Sequence, residues 1–223
     1  MPGESVSIPP CVAGIILAGG RSSRMGSNKA LLALPGASAQ TFVERLASLL
    51  AELCAELLLV ARAESSGQEY AFFPDQAGRR LIYDHIPDQG PLMGLYSGLQ
   101  ASSCSHALVL AVDLPFVRPE LLAWLRAFPL GAEALVPRVQ GIPQVLLARY
   151  PRALLPTIEA CLQAGRRDPR TLLDRVPVRF LEEEELRVID PDLRSFVNIN
   201  TPEDLRQAQS LAFPGFAPPT HPS

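Results

Sequence analysis

The sequence predicts an α/β protein, a three-layer α/β/α sandwich built on a mostly parallel sheet. Two observations carry that expectation. Apolar runs at residues 12–18, 57–61 and 107–112 lack polar–apolar alternation, as strands covered on both faces do. Between them lie stretches with the 3.6-residue periodicity of helices that bury one face. Right-handed crossovers between parallel strands then place helices on both sides of the sheet.

The first strand, residues 12–18, runs into a loop rich in glycine and arginine. A helix follows over residues 40–53, with Phe42, Leu46, Leu49, Leu50 and Leu53 on one face. Residues 57–61 form the second strand and residues 81–83 a short third. Pro91 opens a helix that turns Leu92, Leu95, Tyr96 and Leu99 inward. The fourth strand, residues 107–112, ends at Asp113. A helix starting near Pro119 buries Leu121, Leu122, Leu125 and Phe128, and residues 134–136 make the fifth strand. Beyond it the pattern is less regular. It predicts a strand over 144–148 and a helix over 153–164 with Leu154, Leu155, Ile158, Cys161 and Leu162 inward. A short helix over 170–175 and a strand over 178–181 follow. Residues 182–185 are all glutamate and are expected to be a solvated loop or helix start, because adjacent carboxylates cannot all face one ion. In residues 196–200 polar and apolar side chains alternate, so Asn198 and Asn200 share a face. Thr201 caps a last helix with Pro202 at its first position and Asp204 at its third, running to about residue 211.

A chain of 223 residues with 48% hydrophobic side chains fits one domain, expected over residues 11–212. Residues 1–10 and 213–223, interrupted by prolines, are expected to be disordered tails. A net charge of −3 gives no electrostatic case for nucleic acid or an anionic membrane. No apolar stretch approaches the ~20 residues of a membrane span, and residues 1–4 are not basic, so a cytoplasmic location is expected. Cys11, Cys54, Cys104 and Cys161 show no C-x-x-C spacing. Thiolate-metal and redox motifs fail on that spacing, and no disulfide framework is expected. The cysteines read as small buried apolar residues, with Cys11 exposed.

The first strand leads into Leu17-Ala18-Gly19-Gly20-Arg21-Ser22-Ser23-Arg24-Met25-Gly26-Ser27-Asn28-Lys29. Such a run suits a polyphosphate. Gly19, Gly20 and Gly26 let the backbone approach, Ser22 and Ser23 add hydroxyls, and Arg21, Arg24 and Lys29 balance charge. From Gly20 the spacing is G-x5-G-x2-K. That is neither a Walker A loop nor the G-x-G-x-x-G of dinucleotide-binding folds. In a sheet of this kind ligands bind at the carboxyl ends of the strands, where the loop, Asp84 and Asp113 converge. Asp113, in Ala-Val-Asp-Leu-Pro, is either a loop cap or a ligand for a hard cation. Nucleotide-bound magnesium commonly takes only one or two protein carboxylates. Asp84 either accepts from a ribose or base, assists the metal, or anchors its own loop. His85 reads as a packed or solvent-facing imidazole and Asp88 as a turn residue. No Ser or Cys nucleophile motif is present, and phosphoryl-type transfer can proceed by positioning and charge neutralisation alone.

The glycine loop, the Asp84-to-Gly94 segment D-x3-D-x-G-P-L-x-G, Val-Asp-Leu-Pro at 112–115 and the F-V-N-I-N-T-P-E-D-L ending at 196–205 together resemble the molybdenum cofactor guanylyltransferases, the MobA family. The Gly141-x-Pro-Gln144 turn agrees, and the resemblance spans roughly residues 12–211. It implies a Rossmann-like sheet of nucleotide-diphospho-sugar transferase type. It also implies transfer of GMP from Mg·GTP to the terminal phosphate of molybdopterin, with release of pyrophosphate. Mg²⁺ is then the implied cofactor, GTP and molybdopterin the partners, and molybdoenzymes or their chaperones the recipients. By position, Leu17, Ala18, Gly19, Gly20, Arg21, Ser22, Ser23, Gly26, Asp84 and Gly94 fall on the nucleotide, and Arg24 and Lys29 on its phosphates. Asp113 falls on Mg²⁺, and Gln144, Asn198 and Asn200 on the pterin side. The family often has an asparagine just after the second strand, where this chain has Val60, Ala61 and Arg62. Three other readings share these features: a cytidylyltransferase for the same pterin, a transferase for another phosphorylated acceptor, and a non-enzymatic nucleotide-binding partner of molybdoenzymes.

Overall fold

Apolar residues dominate the first strand, β1 (Val12–Leu17), and all of it is buried. It lies inside an eight-stranded sheet in a computed structural model that describes residues 11–18, 29–34, 40–62, 70, 73, 78–84, 90–201, 203–204 and 206–207. The expected tails and the end of the last helix fall outside the described residues. β1 pairs in parallel with β2 (Glu56–Arg62) on one side and β4 (His106–Ala111) on the other, and β2 with β3 (Arg79–Asp84). Beyond β4 come β7 (Leu147–Pro151), β5 (Ala134–Val139) and the two-residue β6 (Ile142–Pro143), with β8 (Val178–Leu181) parallel to β5.

Helices cover both faces, as expected. α1 (Phe42–Leu53), α3 (Pro119–Ala127) and α5 (Glu183–Ile189) close one core around Ile16, Leu59 and Leu110. α2 (Gly90–Ala101) and α4 (Leu155–Gln163) close the other around Ile15, Leu58 and Val109. Neighbouring residues of each central strand thus serve opposite cores, which is why these strands show no alternation in hydropathy. α1 starts at a reciprocal cap. Thr41 Oγ1 accepts from Glu44 N–H at 3.3 Å, and the Glu44 carboxylate accepts from Thr41 N–H at 2.8 Å. Arg149 is buried and donates to the carbonyls of Arg126 (2.5 Å) and Phe128 (2.7 Å), satisfying the last turn of α3.

The sheet is mixed, because β7 runs antiparallel to β4 and β5. Residues 140–146 are all that separate β5 from β7, short of the roughly a dozen that a parallel crossover needs. The chain instead reverses at Gln140 (φ 50°) and Gly141 (φ 74°), a two-residue hairpin turn. The strand expected at 144–148 therefore begins only at Leu147. The helix expected over 153–164 opens as a 3₁₀ turn, Arg152–Leu154, before α4. The helix expected at 170–175 is a 3₁₀ turn, Pro169–Leu172, started by Asp168, whose Oδ1 accepts from Arg170 N–H at 2.9 Å. The glutamate run is a helix start: Glu182 and Glu185 form the capping box of α5.

The reading of four separate cysteines is overturned at one pair. Cys11 and Cys104 form a disulfide, with Cα atoms 4.9 Å apart. Their 93-residue separation in sequence hides that each lies just before one of two adjacent parallel strands. Cys54 and Cys161 are free, and Cys161 is buried as expected.

The loop carrying Cys104 is organised by Glu56, at the start of β2. Its carboxylate accepts from Ser102 Oγ (2.6 Å), Ser103 N–H (2.7 Å), Cys104 N–H (3.1 Å) and the Arg80 guanidinium (3.0 Å). Burial alone pushes this carboxyl up; the hydrogen bonds outweigh it and hold Glu56 below the ordinary glutamate value. A carboxyl depressed in the folded state adds stability above its unfolded pKa, about 4.3, and loses that contribution as pH falls through the folded value. Glu56→Gln is therefore expected to lower the unfolding midpoint at pH 7. It should also flatten the loss of stability below about pH 4.3, measured by urea unfolding across pH.

α2 crosses β1 closely at Gly98, where an added Cβ would sit 2.8 Å from Ile15 Cγ2. Ile15 is fully buried in the sheet, so it cannot swing away. Gly98→Ala is expected to cost about 1–3 kcal/mol by overpacking, read as a lower denaturant midpoint.

Candidate active site

The four parallel strands β1 to β4 end on one rim, and this is where the chemically loaded segments lie. Beyond β1, Ala18 N–H donates to the Val60 carbonyl (2.9 Å), and Val112 N–H donates to the Leu17 carbonyl (3.2 Å). The ladder thus continues past the strand ends and holds the start of the glycine loop against the residue before Asp113. Gly19, Gly20, Arg21, Ser22, Ser23, Arg24 and Gly26 lie outside the described residues. So do His85 and Asp88. Lys29 begins the 3₁₀ turn Lys29–Leu31.

Asp113 sits in a turn fixed by hydrogen bonds to main-chain carbonyls from several elements. Ala111 N–H donates to the Leu146 carbonyl at 2.9 Å, and Arg45 Nε, from α1, donates to the Pro115 carbonyl at 2.9 Å. Ile199 N–H donates to the carbonyl of Asp113 itself at 2.9 Å. That last bond brings the C-terminal asparagine segment onto the rim. The segment is delivered by a second turn. Buried Asp190 accepts from Ser195 N–H at 2.8 Å, Ser195 Oγ accepts from Arg118 N–H at 3.0 Å, and Leu193 adopts a left-handed φ of 53°. Ile199 is buried between exposed Asn198 and Asn200, so the two amides share a face as expected. The expected cap follows: Asp204 N–H donates to Thr201 Oγ1 at 3.1 Å, and Thr201 N–H to Asp204 Oδ2 at 2.8 Å.

Asp113, Gln144 and Asn198 line one cleft of about 320 Å³, together with Pro91 and with Arg167, Asp168 and Arg170 from the loop after α4. Gln144 is held there by its N–H on the Pro137 carbonyl (2.8 Å) and by its side-chain Nε2 on the Ile142 carbonyl (3.1 Å). Gly90, at the start of α2, anchors the arginine loop. Leu92 N–H donates to the Arg167 carbonyl at 3.0 Å, and a Cβ on Gly90 would meet that carbonyl oxygen at 2.9 Å. Gly90 also has φ of 72°, so glycine is required on two counts. Arg170 pairs with Asp168 at 3.1 Å.

Of the expected residues that the structure describes, Leu17, Ala18, Asp84, Gly94 and Asn200 do not line this cleft. Asp84 ends β3, three strand positions from β4 and so ~14 Å across the sheet at about 4.8 Å per strand. Gly94 is buried on the sheet face of α2, where an added Cβ would meet Leu17 Cδ2 at 3.3 Å. Its position sets how closely α2 approaches the strand that feeds the glycine loop. Arg167, Asp168 and Arg170 were not foreseen from the sequence. The available signal was three arginines around Asp168-Pro169 in a chain of net charge −3.

The donor chemistry suits a hard cation of low protein coordination. Asp113 offers carboxylate oxygens at the rim, with Oδ1 shielded from bulk solvent, on a turn held by hydrogen bonds to main-chain carbonyls. Among the described residues no group of three or more His, Cys, Asp or Glu side chains forms a metal cage. An ion held here would share one carboxylate with ligand oxygens, as magnesium does with phosphates.

The rim sets Asp113 next to the start of the glycine loop, and comparison with known proteins gives the family of the chain. The family described as MobA-like NTP transferase domain matches residues 14–180, and the chain belongs to it. A probable molybdenum cofactor guanylyltransferase of Chloroflexus aggregans is 37% identical over 89% of this chain and 94% of its own. A relative of the same description from Methanosarcina mazei is 38% identical, covering 86% and 87%. The crystal structure of molybdopterin-guanine dinucleotide biosynthesis protein A from Archaeoglobus fulgidus superposes with a TM-score of 0.74 at 28% identity, covering 89% of this chain and 97% of that one. No helix among the described residues is long and apolar enough to cross a membrane.

Proposed function

We propose that this protein transfers GMP from Mg·GTP to the terminal phosphate of molybdopterin, releasing pyrophosphate and forming the guanine dinucleotide form of the molybdenum cofactor. The observation that carries this reading is the Ile199-to-Asp113 hydrogen bond, which seats the asparagine segment beside the carboxylate in one cleft. The names of the relatives, at 37% and 38% identity over most of the chain, support the same acceptor.

In this reading the backbone of Leu17, Ala18, Gly19, Gly20 and Gly26, Arg21 and the hydroxyls of Ser22 and Ser23 cradle the triphosphate. Arg24 and Lys29 neutralise the pyrophosphate as it departs. Asp84 accepts from the guanosine, at the far end of a ligand laid across the strand ends, and Gly94 keeps α2 close beneath. Asp113 holds Mg²⁺, which when bound polarises the α-phosphate and offsets charge on the leaving group. Gln144, Asn198 and Asn200 pair with donors and acceptors of the pterin. An oxygen of the acceptor phosphate attacks the α-phosphorus, the bond to the β-phosphate oxygen breaks, and pyrophosphate leaves with that electron pair. The acceptor has a second pKa of ~6 and is largely ionised at neutral pH, so no general base is needed. We place the reaction in the cytoplasm, with molybdoenzymes or their chaperones receiving the product.

The test is acceptor choice. Pyrophosphate release from GTP is expected with molybdopterin and not with a sugar 1-phosphate or phospholactate. Release with one of the latter two alone would overturn the acceptor assignment.

A further inference from the structure

Cys11 and Cys104 lie at the rim opposite the cleft. Both precede adjacent parallel strands, β1 and β4, whose other ends carry the glycine loop and Asp113. The bridge is one strand length, ~20 Å at 3.3 Å per residue, from that chemistry. Neither cysteine depends on sulfur for its place. The Cys11 carbonyl accepts from His106 N–H at 3.3 Å and from Ser105 Oγ at 3.3 Å. Cys104 N–H is bound by the Glu56 carboxylate and by Ser102 Oγ, both at 3.1 Å. The two thiols therefore remain neighbours when reduced. Cys11 is exposed, whereas Cys104 is buried.

We propose that Cys11 and Cys104 are a reversible thiol–disulfide site, oxidised by exchange with a low-molecular-weight disulfide, which tunes the stability of this domain without entering its chemistry. The Cys11 thiolate attacks one sulfur of the small disulfide, R–S–S–R. That S–S bond breaks, and one thiolate, RS⁻, leaves and takes up a proton. The Cys104 thiolate then attacks Cys11 Sγ in the mixed disulfide, expelling the second RS⁻. The protein dithiol is oxidised by two electrons and R–S–S–R is reduced to two R–SH. An exposed attacking cysteine beside a buried resolving one sets this order. Cys54 does not compete, because burial pushes its thiol up to about 12, and Cys161 is buried in the core.

The consequence follows from chain entropy. The bridge closes a loop across a sequence separation of 93 residues, containing β1, α1, β2, β3 and α2, and restricts mainly the unfolded chain. Oxidation is expected to raise the melting temperature by about 10 °C. Turnover should stay within about twofold at a temperature where both forms are folded.

The experiment treats the full chain with glutathione disulfide or with dithiothreitol. Thiols are then titrated in denaturant, the bridge is located by peptide mapping, and melting is followed without further reductant. The expected result is two free thiols after oxidation and four after reduction, out of four cysteines, with the bridge mapped to Cys11 and Cys104. Cys11→Ser, at an exposed position, should melt alike after either treatment. Four thiols after oxidation, a bridge involving Cys54 or Cys161, or equal melting of the two wild-type forms would overturn the proposal. A tenfold change in turnover on oxidation would overturn the claim that the bridge stays outside the chemistry.

Discussion

Asp113→Ala is expected to lower turnover by about a thousandfold or more while the protein stays folded. Under the proposed function this carboxylate is the one that brings the cation to the α-phosphate, and losing it removes that charge stabilisation. The fold should tolerate the change because the turn is also held by hydrogen bonds to main-chain carbonyls. The Asp113 carbonyl, not its side chain, receives Ile199 N–H, and Arg45 binds the Pro115 carbonyl. Pyrophosphate release and thermal melting, measured together, check both halves. A variant that turns over at the wild-type rate would remove Asp113 from metal binding.

Lys29→Ala is expected to slow the reaction several hundred-fold, on the order of losing one preorganised charge stabiliser. Lys29 closes the loop signature and begins the 3₁₀ turn that follows it. The expected effect falls on kcat more than on KM for GTP, because neutralising a departing pyrophosphate matters most in the transition state. Steady-state kinetics with GTP as the varied substrate read this directly. A loss under about tenfold would place Lys29 away from the leaving group.

The legible parts of this molecule were those written in local chemistry. β1, β2 and β4 stood out because strands packed on both faces cannot alternate, and α1 because its apolar residues recur on one side. Asn198 and Asn200 were placed on one face by simple alternation, and buried Ile199 is the physical reason for it. What escaped depends on how distant segments meet. Hydropathy carries no strand direction, so the antiparallel run of the strand expected at 144–148 was missed, although the short link between β5 and β7 leaves no room for a crossover. The Cys11–Cys104 bridge joins residues that only the parallel pairing of β1 with β4 makes neighbours. Arg167 and Arg170 reach the cleft because the Arg167 carbonyl docks on the N-terminus of α2 at Gly90, a contact with no local signature.

The separation of Asp84 from Asp113 also shapes the proposed site. Under the proposed function, two carboxylates three strand positions apart would serve different ends of a ligand, a nucleoside laid across the rim with its α-phosphate near β4. The acceptor then approaches from the β7 side, where Gln144 and Asn198 line the cleft.

Mass analysis of the product is the most direct test of guanylyl transfer. The protein would be incubated with Mg²⁺ and molybdopterin in parallel with GTP, CTP or ATP, and any adduct weighed. The account predicts a molybdopterin–GMP adduct with GTP alone; a CMP adduct with CTP, or no adduct from GTP that is demonstrably bound, would contradict it.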